Sequence, residues 1–421
     1  MERYSEYKDS GVQWLGMIPN HWEFCRFKNI ASLITIPSKS SHKIGLENIE
    51  SGTGKYLFSE SEFEGNGIQF EIGDIVYGKL RPYLQKVWKA TFPGNAVGDF
   101  FVFRPNYKVD RNYLLYLMLS KGFTDDVNSS TYGAKMPRVS SDYIMTMRCG
   151  IPPFPEQQSI AAYLDAATVK IDKAIAQQQE MIDLLNERKQ IIINQAVTKG
   201  LNPDVSMKDS GMEWIGQIPE HWEICKLKYL FRRIADGTHF SPSTVEEGYP
   251  YITASDVRGI GIDYANAKKI SSEDYKKLVA TGCRASNGDI LLVKDGATTG
   301  RVGLKIDDVE CVTLSSVAML TPKETQNTHY LMYMMMSDAM QKQILLSMAG
   351  AAMPRITLIK LNNFLAVKPP IDEQIKIVKY VKSKIDPLNR SIRLSEQQIV
   401  LLQERKQIII NEVVTGKVRV S

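Results

Sequence analysis

The chain carries one sequence pattern twice, and this internal repeat is the strongest constraint on its fold. Residues 8–28 are KDSGVQWLGMIPNHWEFCRFK and residues 208–228 are KDSGMEWIGQIPEHWEICKLK, so 13 of 21 positions are identical. A spacing of 200 residues is far too long for a solenoid repeat. The pattern therefore indicates that a whole domain was duplicated with its connector. We call these two stretches the KDSG segments.

A second matched pair lies 217 residues apart. The motif PPxxEQ begins at Pro152 and again at Pro369, and LLNERKQIIINQAVT from Leu184 matches LLQERKQIIINEVVT from Leu401. Between these anchors the copies diverge, apart from two short motifs: GDI at Gly73 and Gly288, and GAxMPR at Gly133 and Gly350. Two similar domains with divergent interiors predict two similar but distinct ligands.

Each PPxxEQ motif is followed by a long stretch with helical periodicity. In the first, apolar residues recur at steps of three and four: Ile160, Leu164, Ala167, Ile171, Ile175, Ile182, Leu185, Ile192 and Ala196. The second repeats this stripe: Ile375, Val378, Val381, Ile385, Leu388, Ile392, Ile399, Leu402, Ile409 and Val413. We expect the two helices to pack as a coiled coil; the alternative is that each packs on its own domain. Asp386-Pro387 is typical of a helix start, so the second helix is expected to restart or kink there.

The regions between the anchors carry mixed α and β signals. Short β-rich runs bounded by glycine, such as GIQFEIGDIVYGKL and GDILLVKDGATTGRVGLK, indicate strands and turns. NYLLYLMLSKGF and THYLMYMMMSDAMQKQILLS indicate helices. We therefore predict an α+β fold with pseudo-two-fold symmetry, in which two similar mixed α/β domains are separated by two long conserved helices. The domains are residues 1–150 and 201–368, and the spacer helices are residues 151–200 and 369–421.

Charge and composition narrow the class of protein. Residues 24–150 carry 16 Lys and Arg against 12 Asp and Glu, and residues 224–368 carry 18 against 14, so each variable region has a modest basic excess. Charges interrupt every apolar run before about 18 residues, so no membrane span is expected. The N-terminus does not have the pattern of a secretory signal, and we expect a cytoplasmic protein. The cysteines and histidines lack metal-ligand spacing, so no metal site is expected.

Taken in order, these motifs resemble those of type I restriction-modification specificity subunits, and the resemblance covers the whole chain. They are KDSGxxWxGxIPxHW in each half, GDI in each variable region, PPxxEQ before each long helix and ERKQxIIN near its end. The resemblance implies that each variable region is a target recognition domain that binds double-stranded DNA. Because the two domains differ, the target is expected to be bipartite and asymmetric.

The resemblance also implies partners. In that family the long helices form an antiparallel coiled coil that docks two adenine-N6 methyltransferase subunits, and restriction/translocase subunits then join the complex. The chain itself is expected to be non-catalytic and to bind no cofactor, with S-adenosylmethionine, ATP and Mg on the partner subunits. The residues agree with a non-catalytic role, because the strings nearest to an adenine methyltransferase motif are IPPF and KPPI, and GxxxxGK[ST] is absent.

Two other interpretations stay open at the level of the residues. One is a specificity subunit that serves a non-type-I methylase-nuclease system. The other, from a different class, is a coiled-coil scaffold whose globular ends bind proteins. Subunit composition after co-purification separates the first from a type I complex, and a DNA-binding assay separates the second.

Candidate DNA contacts follow the GDI motif in each domain. Major-groove recognition relies on paired donors and acceptors, chiefly Arg or Lys toward guanine. In the first domain the candidates in YGKLRPYLQK are Lys79, Arg81, Tyr83 and Lys86, although an exposed basic strand edge explains them equally well. In the second domain the candidates in KDGATTGRVG are Lys294, Thr298, Thr299 and Arg301, where the glycines suit either a phosphate or an ordinary hairpin.

The GAxMPR motif supplies three more candidates: Lys135, Arg138 and Arg355. Glycine and proline would hold the arginine on a stiff loop, which suits a phosphate clamp. A residue shared by two domains that recognise different bases would position DNA rather than specify it. The alternative is a turn whose arginine pairs with a nearby carboxylate.

The ERKQ sequences near the end of each helix are candidate partner-docking residues: Glu187, Arg188, Lys189, Glu404, Arg405 and Lys406. They could equally form an ion-pair patch. His21 with Trp22 and His221 with Trp222 lie at matched positions of the KDSG segments, which predicts a packing role.

Overall fold

The fold is given by a computed structural model that describes residues 2–38, 40–59, 63–133, 135–259, 261–348 and 355–420. The chain forms two compact units. The first consists of Met1–Glu180 with Ser395–Ser421, and the second of Met181–Leu394. Within the described ranges, no helix combines the length and apolarity needed to cross a membrane.

Short strands and three short helices make up the variable part of the first unit. The strands are β1 (Tyr7–Asp9), β2 (Met17–Pro19), β3 (Glu23–Arg26), β4 (Ala31–Ile34), β5 (Pro37–Ser38), β6 (Lys43–Ile44), β7 (Gly67–Phe70), β8 (Ile75–Gly78), β9 (Val87–Lys89), β10 (Gly94–Val97), β11 (Phe100–Pro105) and β12 (Arg148–Ile151). The helices are α1 (Arg111–Leu119), α2 (Lys121–Ser129) and α3 (Ser141–Thr146). A long helix, α4 (Phe154–Lys199), follows.

The second unit repeats this order with additions. Its strands are β13 (Met207–Asp209), β14 (Gln217–Pro219), β15 (Glu223–Lys226), β16 (Phe231–Asp236), β17 (Thr244–Val245), β18 (Tyr249–Ile252), β19 (Val257–Arg258), β20 (Gly261–Ile262), β21 (Lys268–Ile270), β22 (Arg284–Ala285), β23 (Ile290–Val293), β24 (Val302–Leu304), β25 (Cys311–Thr313), β26 (Val317–Pro322) and β27 (Leu365–Lys368). Its helices are α5 (Ser272–Ala280), α6 (Thr328–Met336), α7 (Asp338–Ser347) and α8 (Leu358–Asn363). The last helix is α9 (Ile371–Val414).

Each unit is built around a four-stranded antiparallel sheet with the same strand order. The order is β4-β11-β8-β9 in the first unit and β16-β26-β23-β24 in the second. The inner strands β8 and β23 have the sequences IVYG and ILLV and are buried along their whole length. A continuous apolar run is what a strand covered on both faces requires. The candidate DNA-contact loops begin where these two strands end.

The glutamate of each PPxxEQ motif binds the KDSG segment of its unit. The Glu156 carboxylate accepts a hydrogen bond from Trp22 Nε1 at 3.0 Å and contacts His21 Nε2 at 2.8 Å. The second unit repeats both contacts, joining Glu373 to Trp222 at 2.8 Å and to His221 at 2.6 Å. Both indole rings are buried. The packing role predicted for the His-Trp pairs therefore holds for the tryptophans, whereas His21 and His221 are exposed and bind the glutamate at the surface.

The glutamine of the motif binds the variable region. Gln157 Oε1 accepts a hydrogen bond from the Asp110 backbone N–H at 2.7 Å, and its Nε2 donates to the Pro152 carbonyl at 2.9 Å. The corresponding bonds of Gln374 go to Asn327 and Pro369, both at 2.9 Å. Asp110 and Asn327 cap the N-termini of α1 and α6. One amide side chain thus holds the start of a long helix against the first helix of each variable region.

A buried tyrosine defines the direction of the long helices in each unit. Tyr113 Oη lies 3.0 Å from the carbonyl oxygen of Gly150, just before α4, and 3.2 Å from that of Val414, at the end of α9. In the second unit the residues 217 positions away make the same contacts: Tyr330 lies 3.0 Å from the Val367 carbonyl and 3.4 Å from the Val197 carbonyl. The start of one helix therefore lies beside the end of the other in both units. The predicted fold, with two similar α/β domains and an antiparallel helix pair, is confirmed.

The core of each unit includes both helices, so the alternative in which each helix packs on its own domain is wrong. The first core contains residues from the start of α4 and the end of α9, namely Ile160, Leu164, Ile410 and Val413. The second contains the complementary parts, namely Ile193, Val197, Ile377 and Val381. Each variable region is therefore completed by the C-terminal end of the helix from the other repeat.

The second helix does not restart at Pro387, because α9 continues through this residue; the alternative, a kink at this position, stays a prediction. Proline lacks an N–H, so the carbonyl of Ser383 loses its usual helical donor, at a cost of about 3 kcal/mol. Val381 and Ile385 in the preceding turns are almost completely buried. Their packing offsets the missing hydrogen bond and keeps the helix continuous.

Replacing the motif glutamate should destabilise either unit. Glu156→Ala should lower the free energy of unfolding by about 2 kcal/mol, because the buried Trp22 indole N–H loses its acceptor. Glu373→Ala should do the same through Trp222. Urea denaturation of the full chain measures both effects. Glu6→Ala is the control, because Glu6 accepts an exposed hydrogen bond from Asn20 and its loss should cost less than about 0.5 kcal/mol. Equal effects in all three variants would contradict the assigned role.

Candidate nucleic-acid interface

In the first unit, the loop after β8 presents two of the predicted contacts to solvent. Arg81 is exposed, and its backbone has φ 50°, in the left-handed region that few residues other than glycine adopt. Tyr83 follows in a short 3-10 turn, Pro82–Leu84, and is 54% exposed. Gln85 closes the turn with φ 49°. Strained backbone of this kind persists where surrounding contacts enforce it, often at functional sites.

Side-chain contacts of Gln85 explain how the strained turn is held. Its Nε2 donates to the Leu119 carbonyl at 3.2 Å and to Thr124 Oγ1 at 2.8 Å, which ties the turn to α1 and α2. Lys86 differs from the sequence-based expectation, because its Nζ donates to the Ile49 carbonyl at 2.5 Å and its side chain is half-buried. Lys86 is thus held against the domain, while Arg81 and Tyr83 are displayed.

The GAxMPR motif of the first unit lies against the same loop. The Arg81 backbone N–H donates to the Pro137 carbonyl at 2.7 Å, and Leu80 forms a β-bridge with Arg138. Lys135 is exposed. Arg138 makes a two-point hydrogen-bonded ion pair with Asp99, which matches the alternative of an arginine paired with a carboxylate. Lys79 also contacts Asp99 at 3.7 Å.

In the second unit, the loop after β23 is organised differently from the prediction. Lys294 is only 2% exposed, and its Nζ lies 3.2 Å from Asp295 and 3.5 Å from Asp236. Its ammonium therefore belongs to the interior of the domain rather than to an exposed loop. An apolar run before a lysine does not reveal the two carboxylates that allow it to be buried.

Three further candidates of this loop are closer to solvent. Arg301 is exposed, with its Nη1 3.3 Å from the Val257 carbonyl. Thr298 and Thr299 are half-buried, and Thr299 Oγ1 donates to the Gly296 carbonyl at 2.6 Å. Gly296 and Gly300 have φ of 93° and 95° and form the turn, in agreement with the hairpin alternative.

Only the arginine of the second GAxMPR motif lies within the described residues. Arg355 is exposed, forms a β-bridge with Asp295 and has its Nε 3.4 Å from Asp295 Oδ1. The rest of the motif, residues 350–354, lies outside the described residues, as does Ala134 of the first motif. Each motif therefore brings its arginine to the end of the inner strand of its own sheet, β8 in the first unit and β23 in the second.

A further loop at this edge of the second sheet was not among the candidates predicted from the sequence. Phe240 follows β16 and is 61% exposed, and His239 Nε2 lies 3.5 Å from Asp236. Gly237 admits no side chain, because a Cβ would collide with the Thr313 carbonyl. In the sequence, the only indication of this loop is a glycine between polar residues in the run DGTH. The first domain has no matching run, so the comparison of the two repeats does not identify it.

On the long helices, most of the candidate docking residues are exposed. Glu187, Arg188, Glu404 and Arg405 face solvent, and Lys189 is half-buried. Each Glu-Arg pair is flanked by exposed apolar residues at the spacing i, i+3, i+4, i+7, which places four side chains on one helical face. These faces consist of Leu184, Glu187, Arg188 and Ile191 in the second unit, and Leu401, Glu404, Arg405 and Ile408 in the first. We call them the LERI faces.

Lys406 does not belong to this exposed surface. It is 8% exposed, and its Nζ donates to Asp172 Oδ1 at 2.7 Å. Lys55 Nζ donates to the other carboxylate oxygen at 2.9 Å. Burial alone would raise the pKa of Asp172, but hydrogen bonds from the two lysines lower it below its ordinary value. The predicted docking role of Lys406 is therefore replaced by a structural ion pair in the first unit.

No metal-binding group was predicted, and within the described ranges no cluster of three or more His, Cys, Asp or Glu side chains is arranged to hold a metal ion. The chemistry available at the exposed loops is that of hydrogen-bond donors and cations: Arg81, Lys135, Arg301 and Arg355. Such groups suit phosphate oxygens and the acceptor edges of bases.

The chain is similar in sequence to one known protein family and to individual known proteins, two of which are described here. Residues 219–401 match the model of the type I restriction modification DNA specificity domain. The chain is 29% identical over 321 residues to the type I restriction enzyme MjaVIII specificity subunit of Methanocaldococcus jannaschii, which covers 75% of this chain and 72% of that protein. It is 25% identical over 435 aligned positions to the putative type I restriction enzyme MjaX specificity subunit of the same organism, covering 96% of each.

A chain from a solved structure of a type I R-M system has the same fold. The TM-score is 0.69 at 18% sequence identity, and the match covers 95% of this chain and 99% of that chain.

The Asp172 ion pair predicts a pH-dependent loss of stability. Asp172→Asn should lower the free energy of unfolding by about 2 kcal/mol at neutral pH, because the buried Lys406 loses its counter-charge. A carboxyl whose pKa is lowered by folding stabilises the fold above its unfolded pKa, near about 4, and this contribution is lost as the pH falls through the folded pKa. The difference between wild type and variant should therefore shrink below about pH 4.

Urea titrations across this pH range measure the effect. Asp125→Asn is the matched control, because Asp125 pairs with Lys121 on an exposed helix surface and should contribute less than about 0.5 kcal/mol. A destabilisation by Asp172→Asn that is the same at all pH values would contradict the electrostatic explanation.

Proposed function

Because the chain belongs to the family of type I restriction-modification specificity subunits, we propose that it directs its complex to a bipartite, asymmetric DNA sequence, one part for each unit. The observation that carries this proposal is the repetition of one central sheet in both units with different exposed side chains at the same edge. A shared scaffold presents equivalent surfaces, and different side chains on them select different bases. The chain is a non-catalytic subunit, so recognition is its contribution to the complex.

The proposed contacts are side chains at each edge that solvent can reach. In the first unit these are the exposed Arg81, Tyr83 and Lys135, and in the second the exposed Arg301 and the half-buried Thr298. Arginine can bind guanine O6 and N7 with two donors, which discriminates against other bases by about 1–3 kcal/mol. Lysine supplies a cation for phosphate oxygens without sequence preference. Four other candidates bind protein groups and support this surface from behind: Lys79, Lys86, Thr299 and Lys294.

We further propose that the LERI faces dock two copies of an adenine-N6 methyltransferase subunit. The same four residue types are exposed at positions 217 residues apart, once in each unit. Paired exposed leucine and isoleucine side chains beside a Glu-Arg pair have the composition of a protein interface rather than of a solvated helix. Two equal faces bind two copies of one partner. S-adenosylmethionine, ATP and Mg then belong to the methyltransferase and restriction/translocase subunits, and this chain binds no cofactor.

Exchange of one variable region should change one half of the target. Residues 29–150 would be replaced by the corresponding region of a related subunit, and residues 229–368 in a second chimaera, with both KDSG segments and both PPxxEQ motifs retained. Each chimaera should keep one half-site and acquire a new other half, because the conserved contacts of Glu156 and Glu373 rebuild the scaffold around a new surface. Mapping of N6-methyladenine in cells gives the half-sites. Simultaneous change of both halves would contradict independent recognition.

Disruption of one LERI face should remove one methyltransferase copy. Leu184→Asp and Leu401→Asp each place a charge in an apolar contact, and each variant should purify with one methyltransferase subunit instead of two. The double variant should purify with none. Native mass spectrometry of the co-expressed complex measures the composition. Asn186→Asp and Gln403→Asp are matched controls on the opposite side of the helices and should retain two copies. Loss of both copies from one single variant would argue against two equivalent faces.

A further inference from the structure

In the first unit, a lysine and an arginine converge on one carboxylate. Arg138 Nη2 and Nε lie 3.1 and 3.3 Å from Asp99 Oδ2 and Oδ1. Lys79 Nζ lies 3.7 Å from Asp99 Oδ1. The Asp99 side chain is 24% exposed. An ion pair with two hydrogen bonds stabilises a fold more than an ordinary surface ion pair does.

The second unit contains the same combination. Lys294 Nζ lies 3.2 Å from Asp295 Oδ2, and Arg355 Nε lies 3.4 Å from Asp295 Oδ1, an ion-pair contact without hydrogen-bond geometry. Asp236 supplies a second carboxylate to Lys294 at 3.5 Å. The lysine in each unit directly follows the inner strand of the sheet, and the arginine is the last residue of the GAxMPR motif.

The carboxylates nevertheless come from different positions of the fold. The Lys79 backbone N–H donates to the Asp99 carbonyl just before β11, whereas the Lys294 N–H donates to the Ser316 carbonyl just before β26. Ser316 is thus the counterpart of Asp99, and it has no carboxylate.

The residue after the lysine shows the opposite exchange. Leu80 forms a β-bridge with Arg138, and Asp295 forms the corresponding bridge with Arg355. Leu80 is therefore the counterpart of Asp295. The first unit has the pair Leu80 and Asp99, and the second has Asp295 and Ser316, so the carboxylate has changed position while its two cations have not.

A carboxylate kept beside an arginine through two different residue choices indicates what the arginine does. A bound carboxylate offsets the charge of a guanidinium and occupies two of its five donors, which weakens its attraction for phosphate. A guanidinium that fastens two loops together requires such a partner. The backbone bond from Arg81 to Pro137 joins these same two loops in the first unit.

We propose that Arg138 and Arg355 are positioning residues, each of which holds the last residue of its GAxMPR motif at the end of the inner strand through a carboxylate shared with a lysine. This proposal rests on the proposed function and assigns specificity to the side chains beside these ion pairs, namely Arg81, Tyr83 and Lys135 in the first unit. Asp99 and Asp295 hold these groups in one geometry and do not touch DNA. Their contribution is to discrimination between sequences, not to overall attraction.

The test moves the carboxylate of the first unit to the position it has in the second. Asp99→Ser should lower the ratio of affinities for cognate and scrambled duplexes about tenfold, the size of one lost base-pair preference. The double variant Asp99→Ser with Leu80→Asp should restore the ratio to within about threefold of wild type, and the cycle measures the coupling. Fluorescence anisotropy with the full chain in its methyltransferase complex gives the affinities. Asp99→Asn, which keeps the side-chain shape, replaces Asp99→Ser if that variant fails to fold.

The salt dependence of DNA affinity distinguishes a positioning role of Arg138 from direct binding to phosphate. Arg138→Gln should lower the cognate-to-scrambled ratio and leave the slope of log affinity against log salt unchanged. A slope reduced by about one unit, with equal losses for both duplexes, would overturn the proposal in favour of a clamp. An increase in affinity for both duplexes with an unchanged ratio in Asp99→Ser, or a double variant no better than the single one, would also overturn it. Failure of the wild-type complex to discriminate between the duplexes would instead reject the proposed function.

Discussion

The fold depends on two adjacent side chains at the start of each long helix. Glu156 binds the Trp22 indole and Gln157 binds the backbone at Asp110, so one turn of helix holds the KDSG segment and the variable region together. Glu373 and Gln374 repeat the arrangement in the second unit. Each contact satisfies a polar group next to a buried ring or a helix end, where an unpaired group would be costly. This constraint explains why PPxxEQ and HW recur in both repeats while the sequence between them diverges.

Each unit also contains the C-terminal end of the long helix that belongs to the other repeat. The end of α9 packs into the first unit and the end of α4 into the second, where Tyr113 and Tyr330 bind the last carbonyls of the helix. The conserved blocks thus supply buried anchors, and the variable strands supply the rest of the sheet and its exposed edge. Exposed side chains that make none of the buried contacts stabilising the fold can be exchanged for others with different hydrogen-bonding groups. Divergent recognition on a repeated framework is the expected result.

The periodicity and the repeats were sufficient to predict two similar domains and two long helices that pack on each other, because apolar spacing acts locally along the chain. The antiparallel direction of the helices was implied by the family resemblance. The periodicity and the repeats were not sufficient for individual cations. Lys294 and Lys406 have the sequence context of exposed lysines, yet carboxylates from distant segments, Asp236 and Asp172, allow their burial. Pro387 has the local pattern of a helix start, and packing of the preceding turns overrides it. The errors therefore fall where long-range pairing or packing decides the environment of one residue.

Methylome sequencing of cells with and without this gene, in the presence of the partner genes, tests most directly the claim that the chain supplies DNA specificity. The account predicts N6-methyladenine at one split motif when the gene is present, with two different half-sites separated by base pairs that are not recognised. Loss of the gene should remove that methylation. Identical methylomes, or methylation at a contiguous palindrome, would contradict recognition by two different domains on a repeated scaffold.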